Sequence, residues 1–82
     1  SQDFLSFKKN IEKSMWSFSN LKELSFFPSG RWDILTDKDI LIKLPQEHIV
    51  ESLNLSKELI NNDNFKDFKF IDLRIKNHLV AK

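Results

Sequence analysis

The chain has no cysteine and no tyrosine, and its 82 residues include one glycine, two prolines and one methionine. Lack of cysteine excludes disulfide staples and thiolate chemistry but leaves the redox compartment open. With a single glycine there is no glycine-rich phosphate loop, and neither an HExxH nor a CxxC pattern occurs. The two histidines, His48 and His78, stand thirty residues apart with no ligand-spaced neighbour. No cofactor, metal or small-molecule substrate is implied. Neither sign of charge dominates: 13 basic and 12 acidic residues give a net charge of +1, interspersed along the chain, where a nucleic-acid surface would carry a clustered basic stripe. Nothing approaches the ~18 consecutive apolar residues that span a bilayer, so any membrane anchor is expected outside this chain. The length allows at most one small domain, whose core offsets chain entropy only marginally. Because the first residue is Ser1 rather than Met, the chain is expected to be processed, trimmed or taken from a longer protein, and to form a single, partial domain.

What is present reads as alternating helix and strand. Phe4, Phe7, Ile11, Met15 and Phe18 recur at helical spacing, with Lys8, Lys9, Glu12 and Lys13 opposite. This predicts an amphipathic first helix with Asp3 as N-cap, ended by the polar run Ser17 to Asn20, and with Trp16 at the edge of its apolar stripe. Leu24 and Phe26 alternate with Glu23 and Ser25, so Leu21 to Phe27 is a strand. Pro28-Ser29-Gly30 is the strongest turn signal in the chain. Arg31 to Thr36 then returns, with Trp32, Ile34 and Thr36 on one face and Arg31, Asp33 and Leu35 on the other.

Asp37-Lys38-Asp39 connects to a strand that groups Ile40, Ile42 and Leu44 on one side and Leu41 and Lys43 on the other, stopped by Pro45. Pro45-Gln46-Glu47 suits a first helical turn, placing His48 within that turn. Ile49, Leu53, Ser56 and Ile60, with Val50 and Leu59, form the stripe of a second helix, and Asn61 to Asn64 breaks it. Phe68 to Ile75 is a further strand, Lys76-Asn77 a two-residue turn and His78 to Lys82 a last strand. The expected fold is α+β, an antiparallel sheet carrying helices in the order α-β-β-β-α-β-β.

Three blocks carry a family resemblance: Gly30 to Leu35 with its tryptophan, Ile40 to Pro45 ending in Ile-Lys-Leu-Pro, and Phe70 to Arg74 containing Ile-Asp-Leu-Arg. Their order and spacing resemble the C-terminal part of the extracytoplasmic β-type domain of FtsQ/DivIB cell division proteins, over Pro28 to Lys82. The resemblance implies a non-catalytic divisome domain, without cofactors, that acts in septum formation. It implies partners of the FtsB/FtsL type, whose tail adds a strand to the sheet edge. A bitopic inner-membrane anchor and a preceding POTRA domain are also implied, with this domain on the periplasmic side; neither element is in this chain. By the same resemblance Arg74, Ile75, Leu79, Val80 and Ala81 belong to the partner-binding site, and Arg31 lies near positions where some members carry basic residues. Ile75 departs from the pattern, which often has an aromatic residue there.

The residues alone allow plainer readings. Asp72 and Arg74, two apart on a strand, share a face and can pair to fix the sheet surface. Arg31 reads equally as an exposed residue at a strand start, and His48 and His78 as solvated. Trp32 belongs to the core, where its burial contributes about 2 to 3 kcal/mol. Two other function classes are weighed against docking: a small nucleic-acid-binding α+β module using sheet Phe and Lys residues, and a hydrolase using Asp72 with His78. For β-addition, a proline at Val80 is expected to remove a ladder donor.

Overall fold

A computed structural model describes residues 4–82, so Asp3 and its proposed cap lie outside the described residues. The elements, in chain order, are α1 (Phe4–Lys13), β1 (Leu21–Phe26), β2 (Trp32–Thr36), β3 (Leu41–Lys43), α2 (Ile49–Ile60), β4 (Phe70–Ile75) and β5 (His78–Ala81). Short 3-10 turns at Phe18–Asn20 and Asp63–Phe65 precede β1 and follow α2. The five strands form one sheet in sequential order, β1-β2-β3-β4-β5.

The α+β class and the element order agree with the sequence reading, but the expectation of an antiparallel sheet is corrected. Three of the four pairings are antiparallel, but β3 and β4 run parallel, with Ile42 opposite Ile71 and Lys43 opposite Asp72. The sheet is therefore mixed. A helix lies between these two strands, and a strand-helix-strand crossover returns the chain in the same direction, whereas a tight turn reverses it.

The core forms where α1 and α2 meet one face of the sheet. Phe7 and Ile11 of α1, Ile34 and Ile42 of the sheet and Leu53 of α2 are fully buried. The Trp32 indole, 6% exposed, stacks on Phe7 with ring centroids 4.4 Å apart and planes 5° apart. This agrees with the core reading of Trp32.

Trp16 does not keep its expected place at the stripe edge. Ser14 ends α1 early: its N–H and its hydroxyl both donate to the Ile11 carbonyl, at 3.0 and 2.7 Å. Beyond that point the helical rotation no longer applies, so Met15 and Phe18 turn to solvent and Trp16 turns inward to 5% exposure. The Trp16 Nε1–H donates to the Leu53 carbonyl and to Ser56 Oγ, both at 3.1 Å. Ser56 in turn donates to the Leu53 carbonyl at 2.7 Å. That network accounts for a serine on an apolar stripe, because a buried hydroxyl is tolerated once bonded.

The turns follow from backbone conformation. Gly30 has φ +90°, and the Phe27–Arg31 and Gly30–Phe27 backbone bonds close the β1-β2 loop at 2.9 and 2.8 Å. In the β2-β3 loop Asp39 takes the left-handed conformation at φ 62°, while Thr36 Oγ1 accepts from the Ile40 N–H at 3.1 Å. Asn77 does the same in the last hairpin, at φ 59°.

Helix α2 begins later than the sequence implies. His48 is left-handed at φ 57° and holds the N-cap position without a side-chain cap. Pro45, Gln46 and Glu47 therefore form a loop ahead of the helix, and the Gln46 side-chain amide donates to the Ser29 carbonyl.

Two stability outcomes follow. Phe7→Ala removes the ring that Trp32 stacks on and should cost about 3 to 5 kcal/mol, read as a lower urea midpoint or, in so small a domain, as loss of the cooperative transition. His48→Gly relieves a left-handed side-chain conformation worth about 1 kcal/mol, so the urea midpoint should rise or hold, whereas His48→Val should lower it.

Candidate docking edge and its charge strip

At the end of the sheet, β5 is paired on one side with β4, and its other side has no strand partner among the described residues. Phe70 and Lys82 exchange both backbone bonds, N–H to O at 3.1 and 3.0 Å. In an antiparallel ladder such pairs alternate with non-bonded ones. Ile71 and Ala81, the next pair, are thus non-bonded, and the N–H and C=O of Ala81 face outward. Asp72 and Val80 come next, so Val80 points its backbone groups back at β4. This changes the meaning of a proline at Val80, which would break the hairpin itself. Ala81 presents the free groups; between Asp72 and Ile75 the register shifts, and the regular alternation stops there.

The side chains beside this edge are apolar and open to solvent. Ile75 is 67% exposed and Leu79 42%. With Pro45, Ser52, Leu55 and Leu73 they line an open groove of about 580 Å³ between the β4-β5 hairpin and the start of α2. His48 and His78 both stand on its walls. Nothing in the sequence joins them; only the crossover that sets α2 beside β4 does so. His48 Nδ1 lies 3.4 Å from Glu51. Among the described residues no three groups of metal-ligating type come together, and Asp72 is engaged by Arg74 rather than by His78.

The Asp72–Arg74 bracket is bidentate. Arg74 Nε donates to Asp72 Oδ1 and Oδ2 at 2.9 and 3.1 Å, Nη2 donates to Oδ2 at 2.6 Å, and the Arg74 backbone N–H donates to Oδ1 at 3.0 Å. The Arg74 side-chain hydrogen bonds hold the Asp72 carboxyl below the usual carboxylate range, against the opposing effect of partial burial; the Arg74 N–H and the nearby charges of Arg74 and Lys43 add to the lowering. The bracket is planar and directional, as expected of a guanidinium facing a carboxylate.

Arg74, Ile75, Leu79, Val80 and Ala81 thus come together on one hairpin. Arg31 does not join them: it precedes β2, two strands from β4. Its side chain is only 15% exposed, its Nη1 bonds Asp33 Oδ1 at 2.5 Å, and its guanidinium lies 4.8 Å from the Phe27 ring centre. The reading of Arg31 as an exposed strand-start residue is corrected by this pairing. Asp33, which the sequence reading left as a face-mate of Arg31, is 4% exposed and also receives Lys43 Nζ at 3.0 Å. A buried carboxylate needs such partners, and the second of them, Lys43 on the neighbouring strand, is brought to Asp33 only by the register.

A family model, that of the cell division protein FtsQ/DivIB, C-terminal, matches residues 1–74. The chain belongs to the FtsQ/DivIB family. That match takes in α1 and β1, which the three-block resemblance did not cover, and it stops at Arg74, leaving β5 beyond the matched range. No curated protein matches the chain. The family assigns this FtsQ/DivIB domain to cell division. No helix among its described residues is long and apolar enough to cross a membrane.

Acid should loosen the bracket. The folded Asp72 carboxyl sits below its unfolded value of about 3.9, so its contribution is complete above that pH and is lost as pH falls through the lower folded value. Amide-detected titration should show the Arg74 Nε–H signal broadening below about pH 4. Asp72→Asn should abolish that transition and cost no more than about 1 kcal/mol, Arg74 being half exposed.

Proposed function

We propose that this FtsQ/DivIB domain is a non-catalytic docking platform of the division machinery, and that β5 is its receiving edge. The observation that carries the reading is the open side of β5, with outward backbone groups at Ala81 beside exposed Ile75 and Leu79. An extended partner segment completes such an edge by β-addition, in which backbone bonds supply affinity and alternate side chains supply selectivity. The partner is an FtsB/FtsL-like protein whose extracytoplasmic tail supplies the strand. Arg74, beside the edge and half exposed, meets an acidic group of that tail. Ile75 supplies aliphatic area where an aromatic residue would give a stronger anchor. In this reading Arg31 lends charge from within its Asp33 pair rather than as a direct contact. The full protein is anchored in the bacterial inner membrane, with this domain on the periplasmic side, and links early to late division proteins during septum formation.

The test uses a synthetic peptide of the FtsB-like tail encoded in the same genome, with binding followed by calorimetry. Binding to the native domain and its loss in Ala81→Pro, with the circular dichroism spectrum retained, is the expected pair of results. Val80→Pro should instead lower the unfolding midpoint, because it removes a bond within the hairpin. No binding to the native domain, or undiminished binding to Ala81→Pro, overturns the reading.

A further inference from the structure

On the outer face of the sheet, away from the helices, five charged groups of alternating sign follow one another: Arg31, Asp33, Lys43, Asp72 and Arg74. Each aspartate has its own arginine, Arg31 on Asp33 and Arg74 on Asp72. Lys43 stands between the two pairs. Register places it opposite Asp33 on β2 and opposite Asp72 on β4. Its ammonium bonds Asp33 at 3.0 Å.

Burial makes this arrangement stiff at one end and free at the other. Asp33 is 4% exposed and the Lys43 side chain 22%, so water screens that pair little. The Asp72 side chain is 15% exposed and the Arg74 side chain 45%. Without the Lys43 charge two carboxylates would face one another across β3 with no cation between them. Asp72 would then be freer to turn away from the sheet, taking the Arg74 guanidinium with it.

We infer that Lys43 is a positioning residue for the docking edge: standing between Asp33 and Asp72, it fixes the Asp72–Arg74 bracket and so presents Arg74 in a set orientation beside β5. The inference rests on the reading of β5 as a docking edge, and Lys43 itself touches no partner. It is a residue of the sheet centre acting on a carboxylate of the neighbouring strand, with its own ammonium held on Asp33.

The experiment compares the native chain with Lys43→Met, Lys43→Arg and, as a control, Lys22→Met, which breaks the ion pair with Asp39. Carbon-detected titration follows the Asp72 carboxyl, and solvent exchange follows the Arg74 Nε–H. Lys43→Met should raise the Asp72 midpoint, speed Arg74 Nε–H exchange and weaken binding of the FtsB-like tail peptide about fivefold, at the low end of site-to-site couplings. Lys43→Arg should restore all three, and Lys22→Met should leave the Asp72 and Arg74 signals alone. An unchanged Asp72 midpoint and Arg74 exchange in Lys43→Met, or equal changes in Lys22→Met, overturns the inference. If the native chain fails to bind the peptide, the docking reading falls and the docking role of Lys43 falls with it, while the two spectroscopic signals still decide whether Lys43 sets the bracket.

Discussion

The parallel pairing of β3 with β4 is the constraint on which the rest of the structure depends. It sets Ile42 beside Ile71 at the centre of the sheet and, one residue on, Lys43 beside Asp72 on the opposite face. Because the connection between them is long enough to hold α2, the same crossover lays an apolar helix face over the inner side of the sheet. It also leaves the final hairpin outermost, so β5 has a free side. Core, charge strip and open sheet edge are three consequences of one strand pairing.

The two tryptophans divide the work of holding the layers together. Trp32 is used for its area, stacked on Phe7 between sheet and α1. Its Nε1–H is buried and finds no partner among the described residues. Trp16 is used for its donor as well as its area, joining the segment after α1 to the Leu53 carbonyl and Ser56 in α2. The Lys57 ammonium, 4.3 Å from the Trp16 ring centre, covers the indole from solvent. The helices of this FtsQ/DivIB domain are thus tied to one another by a polar contact and to the sheet by an apolar one.

On the outer face the order of effects is different. Asp33 is too buried to be charged without compensation, and two cations from different strand positions supply it. Toward β5 the strip ends in its most exposed member, Arg74. A guanidinium that is oriented at one end and open to solvent at the other loses little freedom on meeting a carboxylate, which favours binding.

By itself the sequence determined the elements and their inward faces. The alternation of Trp32, Ile34 and Thr36, the helical spacing of Ile49, Leu53 and Ser56, and the Gly30 and Asn77 turns are local patterns, and local sterics and solvent exclusion are enough to impose them. Local chemistry also prescribed the Asp72–Arg74 pair, since residues two apart on a strand share a face. Only the tertiary structure decided what depends on distant chain meeting distant chain. The direction of β4 beside β3, the inward turn of Trp16 once Ser14 had ended α1, and the meeting of His48 and His78 on one groove are of this kind. The alternation along the β4-β5 ladder, which turns Ala81 rather than Val80 to the open edge, and the place of Lys43 between two carboxylates belong with them. Each is set by strand register, and register is fixed by the packing of a whole face, which no short stretch of sequence contains.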